Sequence, residues 1–127
     1  MSICETQGVK IVARPVYSVE HSQPEHSRWV WTYEISVANE SDDTVQLLDR
    51  HWVITDAVGE IQEVRGEGVI GQQPVLSPGQ TFTYSSFCPL ATDFGFMRGS
   101  YGMVRADGTR FEATIAPFVL LTQAHLN

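Results

Sequence analysis

Apolar and polar residues alternate with a period of two along most of the chain. From Trp29 the odd positions read Trp29, Trp31, Tyr33, Ile35 and Val37, with Thr32, Glu34 and Ser36 between them and Val30 as the exception. Alternation of this kind predicts a strand with one face in the core. Asn39 to Asp43 then supplies a polar turn, and Val45, Leu47, Trp52 and Ile54 mark a further strand or strand pair that ends at Asp56-Ala57-Val58-Gly59. Leu76-Ser77-Pro78-Gly79 places Pro and Gly at the central positions of a type II turn, ahead of the alternating Phe82, Tyr84 and Ser86. Tyr101 and Met103 precede Asp107-Gly108, and Phe111, Ala113 and Ile115 follow it, which predicts a hairpin. Near the start Val9, Ile11 and Ala13 alternate with polar neighbours until Pro15, where the strand is expected to bend or stop. The count is about seven strands with no helical period and no repeat. The pattern predicts an all-β fold, an antiparallel two-sheet sandwich of the immunoglobulin-like or fibronectin type III-like kind, with a small barrel as the alternative.

Composition narrows the function classes. The 127 residues are enough for one domain spanning 1–127, and 43% hydrophobic residues suffice for a packed core. Lys plus Arg is 8 against 15 for Asp plus Glu, a formal net charge of -7. Duplex nucleic acid and anionic membrane surfaces both reward clustered positive charge, so neither is an expected partner. Met1 to Gln7 lacks a basic start followed by an apolar core, and the expected location is the cytoplasm. Cys4 and Cys88 lie far apart without a C-x-x-C spacing, and two reduced thiols are expected.

The most unusual local composition is Arg65-Gly66-Glu67-Gly68-Val69-Ile70-Gly71, which contains a G-x-G-x-x-G pattern. A dinucleotide fingerprint needs the third glycine inside a helix, and Pro74, Pro78 and Gly79 leave no room for one. Two readings remain. The segment is a glycine-rich loop that turns between the two sheets, with positive φ at one or more of Gly66, Gly68 and Gly71, Gly68 first among them. Or its N–H groups form a nest for a phosphate or pyrophosphate, helped by Arg65 and opposed by Glu67. Arg50 and His51 interrupt an otherwise apolar strand and are adjacent candidates for the same surface. His21, His26, His51 and His125 have no metal-ligand spacing, and Gly99-Ser100-Tyr101-Gly102 is not a nucleophile elbow. No catalytic residue, metal or cofactor is assigned. Trp29, Trp31, Tyr33 and Trp52 fall on inward positions and are expected in the core rather than on a ligand platform.

Four blocks together resemble the ApaG family. They are Leu47-Leu48-Asp49-Arg50-His51-Trp52-Val53-Ile54-Thr55-Asp56, the run from Val64 to Pro74, Leu76 to Ser86, and Gly95-Phe96-Met97-Arg98-Gly99-Ser100-Tyr101. The likeness runs from about Val9 to Leu121, with departures at Phe87, Asp93 and Ala116-Pro117-Phe118. It implies a fibronectin type III-like sandwich. It also implies a protein-interaction role, since similar domains in eukaryotic F-box proteins and in a DNA polymerase delta-interacting protein look like interaction modules. Gene context links the bacterial family to diadenosine tetraphosphate hydrolysis, and phenotype links it to cobalt and magnesium resistance, without defining a reaction. The expectation is therefore a non-catalytic module for an unidentified protein partner, with a second copy of the chain as one candidate. Binding, and less readily hydrolysis, of pyrophosphate-containing nucleotides at Gly66 to Gly71 is the alternative.

Overall fold

Residues 1–122 are described by this computed structural model and carry nine strands. In chain order they are β1 (Ser2–Thr6), β2 (Val9–Tyr17), β3 (Trp29–Asn39), β4 (Val45–Asp56), β5 (Ile61–Glu67), β6 (Val75–Leu76), β7 (Thr81–Leu90), β8 (Phe94–Arg105) and β9 (Arg110–Leu121). One sheet has the order β1-β2-β3-β7, the other β5-β4-β8-β9 with β6 also paired to β4. All pairings are antiparallel. The result is the fibronectin-like sandwich, with two strands beyond the expected seven. β6 is too short to show a period. β1 escaped notice because Ile3 points to solvent, so no apolar alternation betrays it. Within this domain no helix is long and apolar enough to cross a membrane.

The core forms where the alternating positions of the two sheets meet. Ile11, Trp31, Ile35 and Val37 from one sheet are at most 1% exposed, as are Leu47, Tyr101, Met103 and Leu120 from the other. Trp52 sits at the centre, with edge-on rings from Tyr33, Tyr101 and Phe118 at 5.4, 6.4 and 6.0 Å. Trp31 is fully buried, and its indole N–H donates to the Leu121 carbonyl at 2.9 Å. Trp29 is partly buried against the same cluster.

Three local features differ from simple alternation. Pro15 neither bends nor ends β2, which continues to Tyr17. The Ser18 N–H donates to Val30 O, so by antiparallel alternation the Pro15 nitrogen faces away from β3. On that side β1 has already ended, at Ser2 opposite Ala13, and no ladder bond is lost. In β4 the register slips at Leu48, one residue facing none on β8. This bulge moves the inward positions from Val45 and Leu47 to Arg50, Trp52 and Ile54. In β9 a second slip at Ala116-Pro117 moves them from Ile115 to Phe118 and Leu120.

Turn chemistry fits the strand ends. Gly79 has φ +87 and Gln80 N–H donates to Ser77 O at 3.0 Å, closing the Pro-Gly turn. Gly108 has φ +88 within the hairpin joining β8 to β9. His21 and His26 lie in the segment between β2 and β3, around a single 3-10 turn at Pro24–His26.

Candidate functional site

The glycine-rich segment does not pass between the sheets. Arg65, Gly66 and Glu67 belong to β5, opposite His51, Arg50 and Asp49 of β4. The loop proper starts at Gly68 and returns the chain to β6 on the same five-stranded sheet. The crossing happens later, at the Pro78-Gly79 turn into β7. Val69 and Gln72 exchange N–H···O bonds of 2.8 and 2.9 Å around Ile70 and Gly71. Ile70 has φ +45 and Gly71 φ +76, the left-handed pair of a tight hairpin turn. Gly68 also has positive φ, +62, as expected, whereas Gly66 does not. Ile70 in a left-handed conformation had no sequence signal.

Gly66 is explained by Arg50. A Cβ on Gly66 would lie 2.8 Å from the Arg50 guanidinium carbon and both its terminal nitrogens. The guanidinium rests on the bare Cα and reaches past it, where Nη1 donates to the carbonyls of Glu67 at 3.0 Å and Gly68 at 2.9 Å. Arg50 thus ties the start of the loop to the space between the sheets. The loop's own N–H groups are largely committed too: Gly68 donates to Leu48 O, Val69 to Gln72 O and Gln72 to Val69 O. A nest of free donors for a phosphate is not the arrangement these bonds favour.

Arg50 and His51 point to opposite faces of β4, yet both border one depression with Arg65, Gly66 and Glu67. The Leu48 bulge turns Arg50 inward and His51 outward. His51 Nε2 is 3.5 Å from Glu63 Oε2, is buried, and makes no hydrogen bond. On the same outer face, paired rows run across the sheet. One carries Arg65, His51 and Ser100; the next carries Glu67, Asp49, Gly102 and Glu112. A Cβ on Gly102 would collide with the Asp49 carboxylate, which lies across it toward Glu112. These rows border a shallow depression of about 590 Å³. Its lining sets Asp49, Glu67 and Glu112 beside Arg50, His51 and Arg65, so the local charge is not positive and does not favour an anion. Among the described residues no group of three or more His, Cys, Asp or Glu could hold a metal ion. His125 lies outside them.

Further along this face the character changes. Ile61, Thr55, Phe96 and Val119 form one row across β5, β4, β8 and β9. Ile61 is 66% exposed, Phe96 43% and Val119 42%. Phe94 adds its ring edge-on to Phe96. Ile61, Phe96 and Val119 are distant from one another in sequence, and only the strand register aligns them, so a reading of local pattern does not find the row. Asp49, Ser100 and Glu112 escaped notice for the same reason.

Buried ionisable groups lie on the inner side. The hydroxyls of Tyr84 and Tyr101 are hydrogen-bonded to each other, and burial raises the pKa of both. Burial also raises Tyr33 and pushes the Cys88 thiol up to about 12. Cys4 and Cys88 are both free thiols. Raised values of this kind hold these groups neutral; they do not make nucleophiles.

Comparison with known proteins agrees with this architecture. The family model of the ApaG domain matches residues 19–105. Protein ApaG of Rhodospirillum centenum is 53% identical over 115 residues, covering 91% of this chain and 88% of that protein. Protein ApaG of Anaeromyxobacter dehalogenans is 48% identical over the full length of both chains, 127 residues. The crystal structure of a Bordetella pertussis protein assigned as ApaA superposes with a TM-score of 0.89 at 43% identity, over 91% of this chain and 94% of the other. With the family model matching residues 19–105 and relatives near 50% identical over most of their length, the chain belongs to the ApaG domain family.

Proposed function

We propose that this protein is a cytoplasmic, non-catalytic binding module that recognises another protein through the outer face of its five-stranded sheet. The observation that carries this reading is the aligned row of exposed Ile61, Phe96 and Val119. Contiguous apolar side chains on a rigid sheet, bordered by charge, are typical of protein contact surfaces. The charged rows with Arg65, His51, Asp49 and Glu67 lie on the same face and supply the polar rim. The loop at Gly68 to Gly71 then flanks the surface and holds the end of β5 in place. Pyrophosphate-containing nucleotides are the weaker reading, because Asp49, Glu67 and Glu112 oppose an anion there and the Gly68, Val69 and Gln72 N–H groups already have acceptors.

The experiment compares affinity capture from cell extract by the wild-type protein, Phe96→Asp and Val16→Asp. Val16 is 61% exposed against 43% for Phe96 and lies on the other sheet. Partners retained by Val16→Asp and lost with Phe96→Asp support the reading. Equal capture by all three, or none above background, overturns it. Light scattering on the same proteins shows whether the occupant is a second copy of the chain.

A further inference from the structure

On the side where β5 ends one sheet and β7 ends the other, the sandwich is open. The opening leads into a cavity of about 280 Å³. Tyr33, Trp52 and Cys88 form its inner wall, Val64 and Ser86 stand at its sides, and Arg50 enters it from β4. The lining combines aromatic and aliphatic side chains with the polar Gln62 and Ser86, and the guanidinium is the charged group among them.

Arg50 is half-buried, and its bonds to the Glu67 and Gly68 carbonyls use Nη1 alone. The ion pairs among the described residues join Arg14 to Glu34, His51 to Glu63 and Arg105 to Asp43; Arg50 takes part in none of them. The acidic groups on the inner side cannot serve as its counter-ion. Tyr33, Tyr84 and Tyr101 are phenols held neutral by burial, and the Cys88 thiol is pushed up to about 12. Asp49 and Glu67 lie nearby, yet no carboxylate is within ion-pair distance of the half-buried guanidinium that borders this cavity. An unpaired, partly buried charge is costly, and a guanidinium is shaped to accept a carboxylate in a fork.

We propose that this inter-sheet cavity binds a small monocarboxylate with an apolar or aromatic body, its carboxylate on Arg50 and its body against Trp52 and Tyr33. The volume sets the class of ligand. Small-molecule pockets span roughly 300–1,000 Å³, and a cavity just below that range takes one ring or a short acyl chain, not a nucleotide. The site is separate from the outer face on which Phe96 lies, so each of the two readings stands or falls alone.

The test is a titration of the full chain with phenylacetate, followed by amide and indole NMR shifts. Phenylacetamide, the neutral isostere, and inorganic phosphate, an anion without an apolar body, are run beside it. The expected result is saturable millimolar binding of phenylacetate, with shifts centred on Gln62 to Val64, Ser86 to Cys88 and the Trp52 indole. Phenylacetamide and phosphate should each bind about tenfold more weakly or not at all. Arg50→Gln should weaken phenylacetate by about tenfold or more, and Arg65→Ala on the outer face should leave it unchanged. Should Arg50→Gln fail to fold, Val64→Phe narrows the same cavity from the edge strand and should likewise abolish binding. Absence of saturable shifts, equal binding of the amide, shifts located elsewhere, or undiminished binding by the Arg50→Gln or Val64→Phe protein would overturn the proposal.

Discussion

The hydroxyl of Tyr84 on β7 is hydrogen-bonded to the hydroxyl of Tyr101 on β8, so two buried side chains join the two sheets by a polar contact in the middle of an apolar core. Each hydroxyl is the other's partner. Removing one leaves its neighbour buried and unsatisfied, which costs about 1–3 kcal/mol. Removing both leaves two rings of nearly unchanged shape. Tyr84→Phe and Tyr101→Phe are therefore each expected to lower unfolding stability by that amount. The double variant should lose about 1 kcal/mol less than the sum. Urea denaturation of the four proteins measures the cycle, and strict additivity would show that the pair does not act as a unit.

The same buried groups set an alkaline limit. The fold raises Tyr84 and Tyr101 above their ordinary 10.0, and it raises Cys88 from 9.0 to about 12, in each case mainly by burial. Below the lower of these unfolded values both states hold their protons, and the stability is intact. As pH rises past it, the unfolded chain releases protons that the fold retains, and stability falls. Stability is expected to be level up to about pH 9.0 and to decline steadily toward pH 12. In Cys88→Ala the onset should move up toward the tyrosine value of 10.0. Denaturant midpoints across this range check it, and an unchanged onset in the alanine variant would remove Cys88 from the account.

Alternation made β3, β7 and the hairpin at Asp107-Gly108 legible, because in each the inward positions keep one parity and the turn residues are diagnostic. Parity was also what misled. Arg50 and His51 looked like one charged feature, yet neighbours on a strand face opposite ways, and the Leu48 bulge makes Arg50 the inward one. A bulge adds one residue, and one residue inverts every side chain beyond it. Pro15 carries the opposite lesson. Its effect depends on whether a neighbouring strand needs its nitrogen, and that is a property of β1's length. Gly68 was readable as a left-handed residue, but Gly66 was not readable as a seat for a guanidinium. The row Ile61, Phe96 and Val119 exists only through the pairing of four strands. Local pattern thus locates strands and turns; register assembles sites.

Asn39 had no functional or structural weight as part of a polar turn, and it proves to be fully buried. Its Nδ2 donates to Asp43 O at 2.8 Å and Leu76 O at 2.9 Å, while Oδ1 accepts from the Ser41 N–H and hydroxyl at 3.0 and 2.6 Å. One amide so ties the turn after β3 to β6, just before the chain crosses between sheets. Asn39→Ala is expected to destabilise the fold by roughly 2–4 kcal/mol, since it orphans several polar groups at once. Asn39→Asp should do no better, because it loses both donors and buries a charge. A chemical denaturation curve for each decides; a loss below that of an ordinary surface substitution would refute the role.

The three glycines around the β5 hairpin should respond differently to the same added methyl group. At Gly71 nothing lies within 4 Å of a Cβ, and the residue has φ +76. Gly71→Ala pays only for left-handed backbone, about 1 kcal/mol, and Gly71→Asn should be milder because asparagine tolerates that region. At Gly68 the backbone is left-handed and the Cβ would also strike the Gln72 carbonyl oxygen, which Val69 N–H already holds. Gly68→Ala must move backbone and is expected to cost about 2–4 kcal/mol. At Gly66 the backbone is ordinary, and the clash is with the far end of the Arg50 side chain at 2.8 Å. Gly66→Ala should therefore keep most of its stability, losing roughly 1 kcal/mol with the two Arg50 bonds to the loop carbonyls. Its mark is positional: the guanidinium swings away from Glu67 O and Gly68 O, and amide exchange at Gly68 and Val69 speeds up. Thermal denaturation ranks the three alanine variants, and hydrogen exchange separates Gly66→Ala from the others. A ranking with Gly66→Ala as the most damaging would mean that Arg50 cannot move, and that the guanidinium is a fixed part of the core rather than a mobile anchor at its edge.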